Sequence, residues 1–284
     1  MVVACMLFAA MGVVVKLASA LYGTGEIVFY RGVVGTLMMA AWSHHLGTGL
    51  RTAVPGMHLR RSASGVAALM LWFYAIGALP LATAVTLNYM SSVWMALFMV
   101  GAALVLGRAR VDGRLVLTVL LGFAGVVLVL QPSLAQNQWR GAVAGLASGM
   151  LSALAYLQVT ALGRAGEPEP RIVFYFSLGG VAGGLAWALA SGGLHGHTPY
   201  GFALLLATGA LATLAQLLMT RAYAIGRPLS NASLQYLGIV FAFAWGVWLF
   251  DDPVRPLALL GMGLIVAAGL GSTLLGRRSA SRKP

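Results

Sequence analysis

Long apolar runs, each close to the length of a membrane span, alternate along the chain with short breaks rich in charge and proline. A helix needs about 20 mostly apolar residues to cross the hydrocarbon of a bilayer. By that measure the runs fall near 2–21, 26–43, 63–80, 82–106, 114–131, 140–162, 171–191, 200–219, 229–250 and 256–275. The breaks include His44-His45, Arg60-Arg61, the stretch from Arg108 to Arg114, Gln131-Pro132, Glu167-Pro168-Glu169-Pro170 and Asp251-Asp252-Pro253. The pattern predicts an all-α membrane protein of about ten transmembrane helices. The first run lacks a basic segment ahead of it and carries Lys16 late, unlike a signal peptide. That run begins at Met1 with no polar cap, so a start upstream of Met1 is left open.

Composition points the same way. The 284 residues are 60% hydrophobic and 8% charged, against about 25% charged residues in soluble domains. So few charges cannot cover a water-facing surface. The formal net charge of +12 raises nucleic acid as a partner. However, the cations stand one to three at a time between apolar runs, the pattern of membrane topology. Cys5, the single cysteine, excludes an internal disulfide or a CxxC metal site.

Charge also orients the chain. With the N-terminus inside, 14 of the 18 Lys and Arg residues fall in inside segments. The outside loops hold Arg140 and Arg255, and Lys16 and Arg31 fall within spans. Cytoplasmic loops carry the excess of Lys and Arg. Both termini are therefore expected in the cytoplasm and the protein in the cell (inner) membrane.

The chain repeats itself. Pro80-Leu81-Ala82-Thr83-Ala84 enters the fourth run as Pro228-Leu229-Ser230-Asn231-Ala232 enters the ninth. Past a one-residue gap, Leu87-Asn88-Tyr89 matches Leu234-Gln235-Tyr236. Five spans per half, an odd number, insert the halves in opposite senses. The expected organisation is therefore two inverted five-helix repeats, 1–135 and 140–275, and a basic cytoplasmic tail at 276–284. Inverted repeats mark secondary transporters, whose sites lie near mid-membrane at the repeat interface.

These features resemble the EamA family of the drug/metabolite transporter superfamily. The Lys16, Glu26 and Tyr30-Arg31 positions across the first two runs carry the resemblance, together with the two Pro-Leu motifs. It spans nearly the whole chain and implies transport of small metabolites, often amino acids and usually outward. Family members often carry an acid after the fourth and ninth helices. Here Asp251-Asp252 fills the second position, but Gly107-Arg108 stands at the first.

Ionisable groups within a span cost at least about 2.5–3.5 kcal/mol on insertion scales. Lys16 and Arg31 are therefore candidates to meet an anionic solute group, with Glu26 the only acid nearby in sequence. Snorkelling to the interface is the structural alternative. Polar residues recur at helical spacing: Ser148, Ser152, Tyr156 and Thr160; Thr213, Gln216 and Thr220; Asn88, Ser91 and Ser92; Asn231 and Gln235. Asn88, Ser92, Gln216 and Gln235 are taken as cavity-lining candidates. Interhelical hydrogen bonding is the alternative. Tyr30, Tyr89, Tyr156 and Tyr236 add aromatic surface. Gly141, Gly145 and Gly149, and the pairs Gly179/Gly183 and Gly180/Gly184, predict close helix packing.

His195 and His197 have no third ligand near them in sequence, so no metal is expected, and no cofactor motif is present. The expected partners are a small-molecule solute and the lipid bilayer, with room for a coupling ion or proton. No nucleic acid is expected, and the protein is taken as a monomer or homodimer. The leading reading is a non-enzymatic exporter of amino acids or related metabolites that works by alternating access. Uptake of an anionic or zwitterionic metabolite is the alternative. A lipid-acting membrane enzyme, which would need clustered acids or histidines, and a channel are more remote.

Overall fold

The computed structural model describes residues 1–79, 81–106, 112–131, 138–250 and 255–280, and all regular structure among them is helical. Sequence features at Pro80, Gly107-Arg108, Arg110, Pro132, Asp251-Asp252-Pro253 and Arg282-Lys283 lie outside them. The helices are α1 (Val2–Ala18), α2 (Thr24–His45), α3 (Pro55–Ala78), α4 (Leu81–Tyr89), α5 (Ser91–Leu106) and α6 (Gly113–Leu130). They continue as α7 (Trp139–Arg164), α8 (Glu169–Ala190), α9 (Pro199–Ile225), α10 (Pro228–Gln235), α11 (Leu237–Phe250) and α12 (Pro256–Ala280).

Among the described residues, six stretches are long and apolar enough to cross a membrane: Ala84–Val105, Gly113–Leu130, Trp139–Arg164, Glu169–Ala190, Pro199–Ile225 and Pro228–Leu249. Val2–Ala18 and Pro256–Ser272 are shorter apolar helices. α2 and α3 have the length, but α2 carries Glu26 and Arg31 and α3 carries Arg60 and Arg61. Large apolar side chains stand on the surface, Leu104 at 80% and Val105 at 84% exposed. Patches of that kind need a nonpolar surround, which a bilayer supplies.

Two spans are interrupted. α4 ends at Tyr89 and α5 begins at Ser91. At Met90 the amide is shared between the Thr86 and Leu87 carbonyls, at 3.2 and 3.3 Å. α10 and α11 meet at Tyr236, whose amide reaches the Ser233 carbonyl at 3.4 Å. Both are one-residue tightenings toward i→i−3 bonding, which often mark a hinge. The proline at the head of α10 suits a first-turn position, where no intrahelical N–H is needed.

The third helix departs from the apolar pattern. It starts at Pro55, not near 63, so Arg60-Arg61 is not a break between spans. The Val54 carbonyl accepts from the Met57 and His58 amides and so opens the helix ahead of the apolar run. Hydrophobicity alone places a helix end too late when the first turns are polar.

The chain divides into two compact units. The first comprises Val3–Val66 and Gln158–Ile225. Within it α2 and α8 run antiparallel on a glycine seam. A Cβ at Gly25 would stand 2.5 Å from the Ala188 nitrogen, and one at Gly32 2.6 Å from the Val181 nitrogen. A Cβ at Gly184 would stand 2.5 Å from the Phe29 nitrogen. α9 lies alongside, with Gly209 against Val34.

The second unit holds the described parts of Ala67–Leu157 and of the chain from Gly226 onward. Here α6 and α12 form another antiparallel seam. A Cβ at Gly125 would lie 2.6 Å from the Gly261 carbonyl oxygen, and Gly122 faces Tyr236 and Ala268. Gly141, Gly145 and Gly149 of α7 seat against Leu79 and Leu87. Val126, Tyr236, Ile239 and Ile265 form a buried cluster.

Candidate functional site

The eleven residues singled out in the sequence divide between the units. Lys16, Glu26, Tyr30, Arg31 and Gln216 belong to the first, and Asn88, Tyr89, Ser92, Tyr156, Gln235 and Tyr236 to the second.

In the first unit Glu26 has unexpected neighbours. It is only 1% exposed, at the start of α2. Its carboxylate accepts from the His195 backbone amide at 3.2 Å and meets His195 Nδ1 at 2.9 Å and His197 Nε2 at 3.2 Å. The loop between α8 and α9 is thus fastened to the head of α2. Tyr30 stands edge-on to the His197 ring at 5.0 Å, and Tyr22 stacks on it at 5.4 Å. Sequence distance hid this group, because Glu26 lies 169 residues from His195. Among the described residues no cluster of His, Cys, Asp or Glu is arranged to hold a metal ion.

Arg31 is half-buried, and its guanidinium carbon lies 5.6 Å from the centre of the Phe176 ring. Lys16 lies exposed in the last turn of α1. Gln216 is buried at 5% exposure, and its amide nitrogen has no hydrogen-bond partner among the described residues. A buried amide donor left unpaired is costly, which makes Gln216 available to a solute or a water.

Sequence reasoning placed Arg61 in a loop as a topology charge. It is a buried α3 residue, 3% exposed, with its guanidinium carbon 4.2 Å from the Phe176 ring centre. The signal lay in Gly65, one turn on. A Cβ there would collide with the Arg61 guanidinium, so glycine leaves the room the arginine takes.

A second ionic knot lies on the same unit, around Glu167 in the loop between α7 and α8. Glu167 accepts from Thr52 Oγ1 at 2.9 Å, His58 Nε2 at 3.0 Å and an Arg171 guanidinium nitrogen at 3.1 Å. Arg171 also donates to the Gly49 carbonyl, and the Tyr175 hydroxyl donates to that of Leu50. Burial raises the Glu167 carboxyl. The hydrogen bonds from His58, Thr52 and Arg171, with the Arg171 charge, more than offset it and hold the group below its usual range.

In the second unit the polar residues bond across helices. The Asn88 amide donates to Ser148 Oγ, which donates to the Ala68 carbonyl, each at 2.8 Å. Gln235 donates to the Tyr156 hydroxyl at 3.0 Å, and Ser92 to the Ala232 carbonyl at 3.0 Å. Tyr236 is fully buried and Tyr89 stands beside it.

These features define a multi-pass helical membrane protein with buried charges and interrupted helices. The chain belongs to the EamA-like transporter family, of the drug/metabolite type, and the family's model matches residues 1–131. It is 35% identical over 271 residues to the pseudopaline exporter CntI of Pseudomonas aeruginosa, covering 94% of this chain and 92% of that protein. An uncharacterized transporter of Helicobacter pylori is 25% identical over 93% of this chain and 89% of its own length. One crystal structure superposes with a TM-score of 0.83 at 19% identity, covering 97% of this chain and 96% of the other, so the fold is shared.

Proposed function

We propose that the protein is a secondary transporter of the inner membrane that exports a small carboxylate-bearing metabolite, such as an amino acid or a relative of one, by alternating access. Counting α2 and α3 as spans, and α4 with α5 and α10 with α11 as single spans, gives ten. On that reading α2 and α8 hold equivalent places in the two repeats, as do α6 and α12. The observation that carries the proposal is that each equivalent pair packs antiparallel on a glycine seam, at Gly32 and Val181 and at Gly125 and Gly261. That is the relation expected of inverted repeats. The matching interruptions at Met90 and Tyr236 support it, because discontinuous helices commonly form transporter sites.

The export direction is favoured by the exporter at 35% identity. Arg31 is the proposed reader of the solute's carboxylate, since a guanidinium grips a carboxylate through two parallel bonds. Gln216 supplies an available amide in the same unit. Lys16, Glu26 and Tyr30 are proposed to shape its outward side. The second-unit set, Asn88, Tyr89, Ser92, Tyr156, Gln235 and Tyr236, is proposed to tune the interrupted helices.

A thermal-shift screen of purified protein against amino acids, nucleosides and organic acids tests this. Stabilisation by carboxylates that is lost in Arg31→Gln is expected. Stabilisation by nucleosides alone, unchanged in that variant, would contradict the carboxylate reading.

A further inference from the structure

Along α9, Thr208, Ala212, Gln216 and Thr220 follow one another at four-residue intervals, which sets them in one row on the helix. The row lies within the buried face: Thr208 is 1%, Gln216 5% and Thr220 0% exposed. Its three polar members share one property. Thr208 Oγ1, Gln216 Nε2 and Thr220 Oγ1 have no hydrogen-bond partner among the described residues.

A threonine in a helix has an ordinary way to satisfy its hydroxyl, by donating to the carbonyl four residues back. Thr213 does so to Gly209 at 2.7 Å, and Thr36 of α2 to Gly32 at 2.8 Å. Thr208 and Thr220 do not take that bond. Buried polar groups left unpaired are costly, and three of them stand in one row. The cost is relieved in any conformation that brings the row a partner. From Thr208 to Thr220 the row is about 18 Å long at 1.5 Å per residue, well beyond the reach of one amino acid. It carries no charge; the cation of this helix, Arg221, points its side chain outward at 66% exposure. Neutral groups in series suit passage, because transport needs contacts strong enough to admit a solute and weak enough to release it.

We infer that Thr208, Gln216 and Thr220 form one wall of the path by which the solute crosses, shut in this conformation and opened in another. The Gln216 amide donates to an acceptor oxygen of the solute, and the threonine hydroxyls take its polar groups on either side. This rests on the carrier reading above and adds to it the residues of the path.

The test uses purified full-length protein in lipid nanodiscs, in a Cys5→Ala background, with a small charged methanethiosulfonate. Thr208→Cys, Gln216→Cys and Thr220→Cys should react as the protein opens. Leu205→Cys and Ala215→Cys, at positions of the same helix buried to 0%, should be spared. L-Aspartate should slow the reaction at the three row positions. Thr208→Val and Thr220→Val, which keep the shape and remove the unpaired hydroxyl, should hold or raise the melting temperature. A lowered melting temperature in both would mean that the hydroxyls are bonded structural groups, and would overturn the inference. Equal reaction at row and control positions, or reaction at none, overturns it too, and leaves the carboxylate reading to its own thermal-shift result. Reaction along the row that neither L-aspartate, propionate nor uridine slows makes the row wet but not a solute path, and also counts against it. Reaction slowed by uridine alone keeps the path and removes the carboxylate reading.

Discussion

The ring of Tyr89 stands 6.0 Å from the ring of Tyr236, centroid to centroid, and each tyrosine lies at the interruption of its own span. The two hold matching places in the sequence motifs, so the proposed repeats meet where their helices are broken. Tyr236 is the more deeply set, fully buried among Val126, Ile239 and Ile265. Tyr236→Ala should cost about 3 kcal/mol or more, whereas Tyr236→Phe keeps the ring and should stay near wild type. Tyr89→Ala, at a half-buried position, should cost less. Thermal unfolding in detergent orders the three.

The glycine seams give a sharper contrast. Gly32→Ala and Gly125→Ala each drive a methyl into backbone atoms 2.6 Å away, atoms that cannot swing aside. Each should destabilise by about 1–3 kcal/mol. Gly12→Ala and Gly263→Ala meet nothing within 4 Å, and should be neutral or slightly stabilising because alanine is the better helix former. Equal losses in all four would mean that helix propensity, not packing, sets the effect.

Acid should loosen the knot at Glu167. Its folded carboxyl sits below the ordinary value of 4.5. Its contribution to stability is therefore complete above that value and is lost as pH falls through the lower folded one. Melting curves taken from about pH 6 down to about pH 3 should show a steeper acid-side loss in wild type than in Glu167→Gln. Parallel curves would remove Glu167 from the acid response.

Topology can be read by labelling. In a Cys5→Ala background, single cysteines at Ala53 and Gly196 occupy exposed positions in the two connecting segments. An impermeant thiol reagent outside intact cells should label position 196 and spare 53. The reverse pattern would invert the orientation.

The helical membrane class was legible because it follows from apolar runs of about 20 residues, a signal that is local in sequence. The glycines of α7 were legible for the same reason, as a ridge at helical spacing. What escaped depended on distant partners. Glu26 was expected beside Arg31, five residues away, yet its oxygens meet His195 and His197. Arg61 passed as a loop charge because the polar opening turns of α3 masked the helix. Asn88 and Gln235, taken as cavity amides, are bonded to Ser148 and Tyr156. Periodicity assigns a polar residue to a helix face, but which neighbour satisfies it is decided by packing.

Alternating access on a carboxylate-bearing solute is tested most directly by exchange in proteoliposomes. Vesicles loaded with unlabelled solute, chosen from the strongest thermal-shift hit, are placed in a trace of the labelled form. A carrier predicts transient accumulation of label that saturates with solute, and a fall of about tenfold in Arg31→Gln at equal protein incorporation. Uptake that rises linearly with concentration, shows no overshoot and is the same in Arg31→Gln would contradict both the mechanism and the site.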